Sequence, residues 1–182
     1  MSEQDLIQHA APTLAGIKTA NLFSVSCPDR ARLLGQLRAF NTDARSKGLR
    51  CVPLLFKEKR ALLYLYRAYQ LAEDLENRSV RAILTDAGYT HISVSACLAR
   101  LCARLRAQNG TFPHEIGCFL GYPPADVEGF MVHKAQAFLL TGYWKVYGDV
   151  EKAKARFAAY DSCHARYLER WRSGARLPDL MV

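Results

Sequence analysis

The chain has 182 residues, half of them hydrophobic and 23% charged, a composition that suits one folded domain and excludes a disordered chain. Its formal charge is +8, from 25 Lys and Arg against 17 Asp and Glu, and no single tract gathers the excess. The start, MSEQDLIQHAAPTLAG, has no basic stretch followed by a long apolar run. The longest apolar runs, at 51–56 and 61–66, fall far short of the roughly 20 residues that span a bilayer. A cytosolic protein without a membrane segment is expected. Six cysteines are present but no C-x-x-C, so reduced thiols are expected rather than a disulfide framework, a zinc ribbon or a redox pair.

In chain order, residues 6–11 read as a short helix that stops before Pro12, and NLFSV at 21–25 as a strand. Pro28 and Asp29 open a helix whose apolar stripe runs Leu33, Leu34, Leu37, Phe40 and Ala44, with Gly48 as its stop. RCVPLLF, the polar loop 57–60 and ALLYLYR form the clearest hairpin. Its strands are apolar on both faces, which predicts a sheet covered on each side. Pro53 cannot donate to a ladder, so its strand is an edge or is bulged. Helices are predicted at 69–77, 79–87 and 93–107, then a loop at Asn109-Gly110 and two short helices around Gly121–Pro123. GYWKVY at 142–147 reads as a further strand. The last helix, 149–172, carries a seam of Ala153, Phe157, Tyr160, His164, Tyr167 and Trp171 at alternating steps of four and three. The expected fold is α+β: one domain with a small mixed sheet, made of the 50–67 hairpin and strands near 21–25 and 142–147, packed by helices on both faces.

The most suggestive local pattern is His114-Glu115-x-x-Cys118. It begins like the H-E-x-x-H of zinc proteases but has Cys in place of the second His, and Gly117 and Gly121 shorten the helix such a site needs. Local capping explains it more simply, with Pro113 opening the helix and Glu115 favouring its dipole. No metal site is assigned. Gly16-Ile17-Lys18-Thr19 fails the phosphate-loop pattern. Lys18 and Asn21 nevertheless stand in an otherwise apolar stretch, where a lysine either reaches the surface or meets an anion. His164 reads as a hydrogen-bonded core residue, and Cys97 and Cys102 as small hydrophobes on a buried helical face. Tyr143, Trp144, Lys145 and Tyr147 have the makings of a base-stacking set, but a half-buried strand accounts for most of them.

HAAPTLAGIKTANLF, FPHEIGCFLGYPPADVEGF and GYWKVYGD with the helix after it resemble an uncharacterised bacterial conserved-domain family common in anaerobes, over nearly the whole chain. The resemblance implies no settled activity or cofactor. It does imply that His9, Pro12, Thr13, Lys18, Asn21, His114, Glu115, Gly121, Tyr122, Pro123, Asp126, Tyr143, Trp144, Lys145 and Cys163 follow the family pattern. Ala10 and Cys118 depart from it, which weakens any reading that needs a thiol at 10 or a metal at 118.

Two functions follow as expectations. The first is a small-molecule, cofactor or metal-binding protein, or an enzyme with His114 and Glu115 as its acid–base residues. Its ligand, an anionic small molecule or cofactor, would be held by His9, Lys18, Asn21, Tyr122, Asp126 and Lys145, with Lys18 and the His114–Glu115 pair at one pocket. The second is a non-enzymatic interaction module that turns its basic surface to nucleic acid or an acidic protein. Because Arg100 and Arg104 offer only a short basic face, nucleic-acid binding would be weak and non-specific.

Overall fold

The structure, a computed structural model, describes residues 1–107 and 112–182, so the Asn109-Gly110 loop lies outside the described residues. In chain order the elements are α1 (Glu3–Leu14), β1 (Ala20–Ser26), α2 (Arg30–Asp43), β2 (Leu49–Lys57), β3 (Arg60–Arg67), α3 (Ala68–Glu76), α4 (Arg78–Asp86) and α5 (Val94–Arg106). They continue as α6 (Ile116–Phe119), α7 (Pro124–His133), β4 (Leu140–Thr141), β5 (Lys145–Val146) and α8 (Val150–Arg172). The fold is α+β, as expected. The chain divides into two compact units, Met1–Gln70 with Ser162–Val182, and Leu71–Asp161. Among the described residues no helix is long and apolar enough to cross a membrane.

Unit 1 is built on a three-stranded sheet in the order β1-β3-β2, antiparallel throughout. The expected mixed sheet is therefore corrected: β2 and β3 are joined by a tight turn, and β1 pairs against β3 from Ala20↔Tyr66 to Ser26↔Arg60. Both expectations for Pro53 hold, since β2 is an edge strand and its register shifts between Pro53 and Leu55. Alternate residues Ala61, Leu63 and Leu65 point to one face. There they pack with Phe23 and Val25 of β1, Leu6 and Ile7 of α1, Leu37 and Phe40 of α2, and Cys163 and Tyr167 of α8. Leu34, placed on the apolar stripe by its spacing, is exposed, and the buried line of α2 is Leu33, Leu37 and Phe40.

Local chemistry sets the ends of these elements. Ser2 and Asp5 form a capping box at the start of α1, and Asp29 accepts from Arg32 N at 3.0 Å to open α2. Helix α1 does not stop before Pro12. It runs on to Leu14 through a kink at Ala10 (φ −139°, ψ 15°), which accommodates the proline ring and its missing N–H. Asn41, near the end of α2, reaches the outer edge of β2. Its Oδ1 accepts from Cys51 N at 2.7 Å and its Nδ2 donates to Cys51 O at 2.9 Å.

Unit 2 is mainly helical. Asn77 caps α4 and Ser93 caps α5 through their side-chain oxygens. Residues 142–147 do not join the sheet of unit 1, contrary to expectation. Leu140–Thr141 pairs only with Lys145–Val146, and Gly142 N donates to Trp144 O across the turn at 3.0 Å. Aromatic packing explains the difference. Trp144 meets Phe157 edge-on at 4.6 Å and Tyr143 meets Tyr160 at 5.1 Å, so these rings form the core beside α8 that a longer ladder would have pulled apart. Glycine is required at the turn, because a Cβ on Gly142 would lie 2.3 Å from the Phe157 ring. Gly142→Ala should therefore cost about 2 kcal/mol in urea unfolding followed by tryptophan fluorescence. An unchanged midpoint would show that the ring moves aside freely.

Candidate functional site

The candidate site of unit 2 grows from the motif FPHEIGCFLGYPPADVEGF. Pro124 starts α7, so Asp126 falls in its first turn, where a carboxylate suits the helix dipole. Asp126 is buried, and both of its oxygens accept hydrogen bonds. Oδ1 accepts from Tyr147 N and Gly148 N, both at 2.8 Å, and Oδ2 accepts from Trp144 Nε1 at 2.7 Å. These three donors fasten α7 to the β5 turn. Trp144 in turn stacks on Tyr122 at 4.9 Å, and Tyr122 donates its hydroxyl to Tyr143 O at 3.1 Å.

This scaffold encloses a cavity of about 200 Å³ lined by Phe112, His114, Ile116, Gly117, Tyr122, Asp126, Val127, Phe130, Trp144 and Lys145. Its wall is almost entirely apolar. His114 is exposed at the edge, with its ring set edge-on to Phe130 at 4.9 Å. Neither of its nitrogens has a hydrogen-bond partner among the described residues. The Lys145 ammonium donates to Ala135 O at 2.7 Å and lies 4.4 Å from the centre of the Phe138 ring. Backbone strain supports this arrangement, since Lys134, Ala135 and Ala137 all have positive φ without being glycine.

The neighbours in His114-Glu115 go to different surroundings. Glu115 is buried away from the cavity wall, where it accepts from the Tyr89 hydroxyl at 3.0 Å and pairs with Arg104 Nε at 2.5 Å. Arg104 also donates to Ala87 O at 3.1 Å, so it ties α5 both to the end of α4 and, through Glu115, to the turn before α6. Burial, and then the charge of Glu115, push the Tyr89 hydroxyl well above its usual pKa. The same two causes push the Cys118 thiol up to about 12, which leaves it protonated and a poor metal ligand. Among the described residues no group of three or more His, Cys, Asp and Glu is placed to hold a metal ion.

Residues 6–181 match the family described as Protein of unknown function (DUF3793). The chain belongs to that family. No curated protein and no solved structure matches it. The family's description names no activity, so what this DUF3793 chain does must be argued from its own residues.

The other expected site residues, His9, Lys18 and Asn21, belong to unit 1. His9 is exposed and stacks on Phe23 at 5.4 Å. Asn21 Oδ1 accepts from the buried Thr13 hydroxyl at 2.7 Å. Lys18 is buried, and its ammonium donates to the carbonyl of Ala20. Around them, Arg67 donates to Thr13 O at 2.7 Å and Leu14 O at 2.6 Å, satisfying the last carbonyls of α1. Gln70 donates to Gly16 O at 2.9 Å. These are the contacts that a fixed turn between α1 and β1 needs. Of the expected set, His114, Tyr122, Asp126 and Lys145 share one cavity. Sequence reasoning missed Phe112, Val127 and Phe130 in its lining, and also the Tyr89–Arg104 partners of Glu115. Phe112 and Phe130 flank the motif at its two ends, and that symmetry was the available signal.

Two predictions follow. Asp126→Asn puts an N–H₂ group against donors that already point inward. It should destabilise unit 2 by about 2–4 kcal/mol in urea titrations read through Trp144 fluorescence; an unchanged midpoint would deny the carboxylate its latching role. Lys18 carries the second. Burial lowers its pKa from 10.5 to about 7, so between those values the unfolded chain binds the extra proton. Its contribution to stability therefore rises with pH, by at most about 1.4 kcal/mol per pH unit, and is flat below the folded value. The stability difference between Lys18→Met and the natural chain should shrink steadily from pH 7 to 10. A difference independent of pH would mean that Lys18 stays charged in the fold.

Proposed function

We propose that unit 2 binds a small, largely apolar acid in the cavity between α6, α7 and the β5 turn. The observation that carries this reading is the convergence of Tyr122, Phe130 and Trp144 on one apolar space, with His114 and Lys145 the unsaturated polar side chains on its wall. A space of about 200 Å³ suits a single ring, since a dry apolar cavity of about 150 Å³ already admits benzene. Asp126 already holds three protein donors, and its negative charge would repel an anionic head, so it serves the cavity as a latch. His114 has both nitrogens available, and Lys145 retains two ammonium protons beyond the one on Ala135 O. Together they favour an anionic head on an apolar body.

Acid–base chemistry, if the ligand undergoes any, falls to His114 alone among the pair expected from sequence. Glu115 is committed to Arg104 and Tyr89. A ligand-binding role is therefore the better-supported reading, and catalysis would need a proton acceptor carried by the ligand or by water.

Trp144 forms part of the wall, so its fluorescence reports occupancy. In a Trp171→Phe background, benzoate should quench Trp144 saturably, and benzyl alcohol should do so more weakly. His114→Ala and Lys145→Met should each weaken benzoate about tenfold, near 1.4 kcal/mol, while leaving benzyl alcohol within twofold. If neither probe alters the Trp144 emission, or if both variants weaken the two probes equally, this reading is wrong.

A further inference from the structure

The two units differ sharply in charge. Unit 1 carries 15 Lys and Arg against seven Asp and Glu, whereas unit 2 carries ten of each. The whole excess of +8 therefore belongs to unit 1. Within it, Arg38, Asn41, Thr42 and Arg45 follow one another at steps of three, one and three through the end of α2 and the turn after it, which puts them on one face. Arg50 of β2 completes the wall, and the five residues surround an open concavity of about 340 Å³.

We infer that this concavity is a binding site for a phosphate group. The two uncharged side chains in it are already committed: Asn41 to both backbone groups of Cys51, and Thr42, whose hydroxyl donates to Arg38 O at 3.0 Å. What remains is three guanidinium groups. Arg50 donates once, to Leu49 O at 3.1 Å. Among the described residues, neither the Arg38 nor the Arg45 guanidinium has a hydrogen bond, and none of the three arginines forms an ion pair. No carboxylate lines the concavity.

Three like charges facing one space repel, and a multiply charged oxyanion relieves the repulsion. Guanidinium forks take oxyanions two oxygens at a time, so three forks exceed what one carboxylate accepts and suit the three or four oxygens of a phosphate. With no aromatic ring in the wall, there is nothing to read or stack a base. The site recognises phosphate itself, on a small phosphorylated molecule or on a nucleic-acid backbone, and does not depend on occupancy of the cavity in unit 2.

The test uses the full chain at low salt with two probes: inorganic phosphate by calorimetry, and a labelled oligothymidylate of about 20 nucleotides by anisotropy. At least one probe should bind. Arg38→Ala and Arg45→Ala should each weaken it tenfold or more, and Arg45→Lys should weaken it too, because a lysine keeps the charge but loses the fork. Lys59→Ala, which removes the same charge from the exposed β2–β3 turn of the same unit, should change it less than twofold. All three substituted side chains are exposed, and circular dichroism checks that the variants fold. One phosphate per chain, with no tighter oligonucleotide binding, identifies a small phosphorylated ligand. Tighter oligonucleotide binding that phosphate displaces identifies a nucleic-acid backbone. If neither probe binds, or if Lys59→Ala and Arg45→Ala weaken binding alike, the site does not exist and the attraction is only diffuse charge.

Discussion

A buried carboxylate must find donors for its lone pairs, and in unit 2 that requirement organises everything near the cavity. Asp126 takes its three N–H groups from the indole of Trp144 and from the backbone of Tyr147 and Gly148. Meeting them fixes where α7 begins relative to the β5 turn. Once the indole is oriented by that bond, its face is available to Tyr122 and its edge to Phe157. The cavity is the space these rings leave against Phe130. Its shape thus depends on a buried charge that the protein's own donors hold in place.

The second carboxylate of the same motif solves the same problem elsewhere. Glu115 finds Arg104 and Tyr89, and so fastens α5 to the segment that carries His114. The two buried acids of FPHEIGCFLGYPPADVEGF thus serve geometry, while His114 has no hydrogen-bond partner among the described residues. Polar residues within an apolar motif are often taken to mark chemistry. Here Glu115 and Asp126 are better understood as internal struts of unit 2.

Much of the fold was legible because its signals are local. The hairpin, the Asp29 and Ser93 helix starts and the seam of α8 depend on neighbours a few residues apart, and all were readable. The kink at Ala10 was not, because a proline reads as a stop unless the surrounding structure holds the helix on its far side. The 142–147 segment misled for a different reason. Alternating aromatics look like a strand, and only the ring contacts with Phe157 and Tyr160 reveal that they are packing a helical core. At the site, motif residues such as His114, Tyr122, Asp126 and Lys145 were legible as a group. Their separate duties depend on partners such as Arg104 that stand well outside the motif. The uneven charge was hidden because unit 1 is assembled from two distant stretches of chain.

The amide of Asn41 has a bearing on how this protein behaves in a crowded cell. Strand β2 is an outer strand, and such strands present N–H and C=O groups that invite another chain to add itself to the sheet. Asn41 occupies both groups of Cys51, as a neighbouring strand would, and the bulge beside Pro53 spoils the regular spacing just beyond it. A single side chain thereby imitates one rung of a missing partner. The apolar run Leu49–Phe56, already interrupted by Pro53, is thus denied a free rung at Cys51 on which another strand could pair.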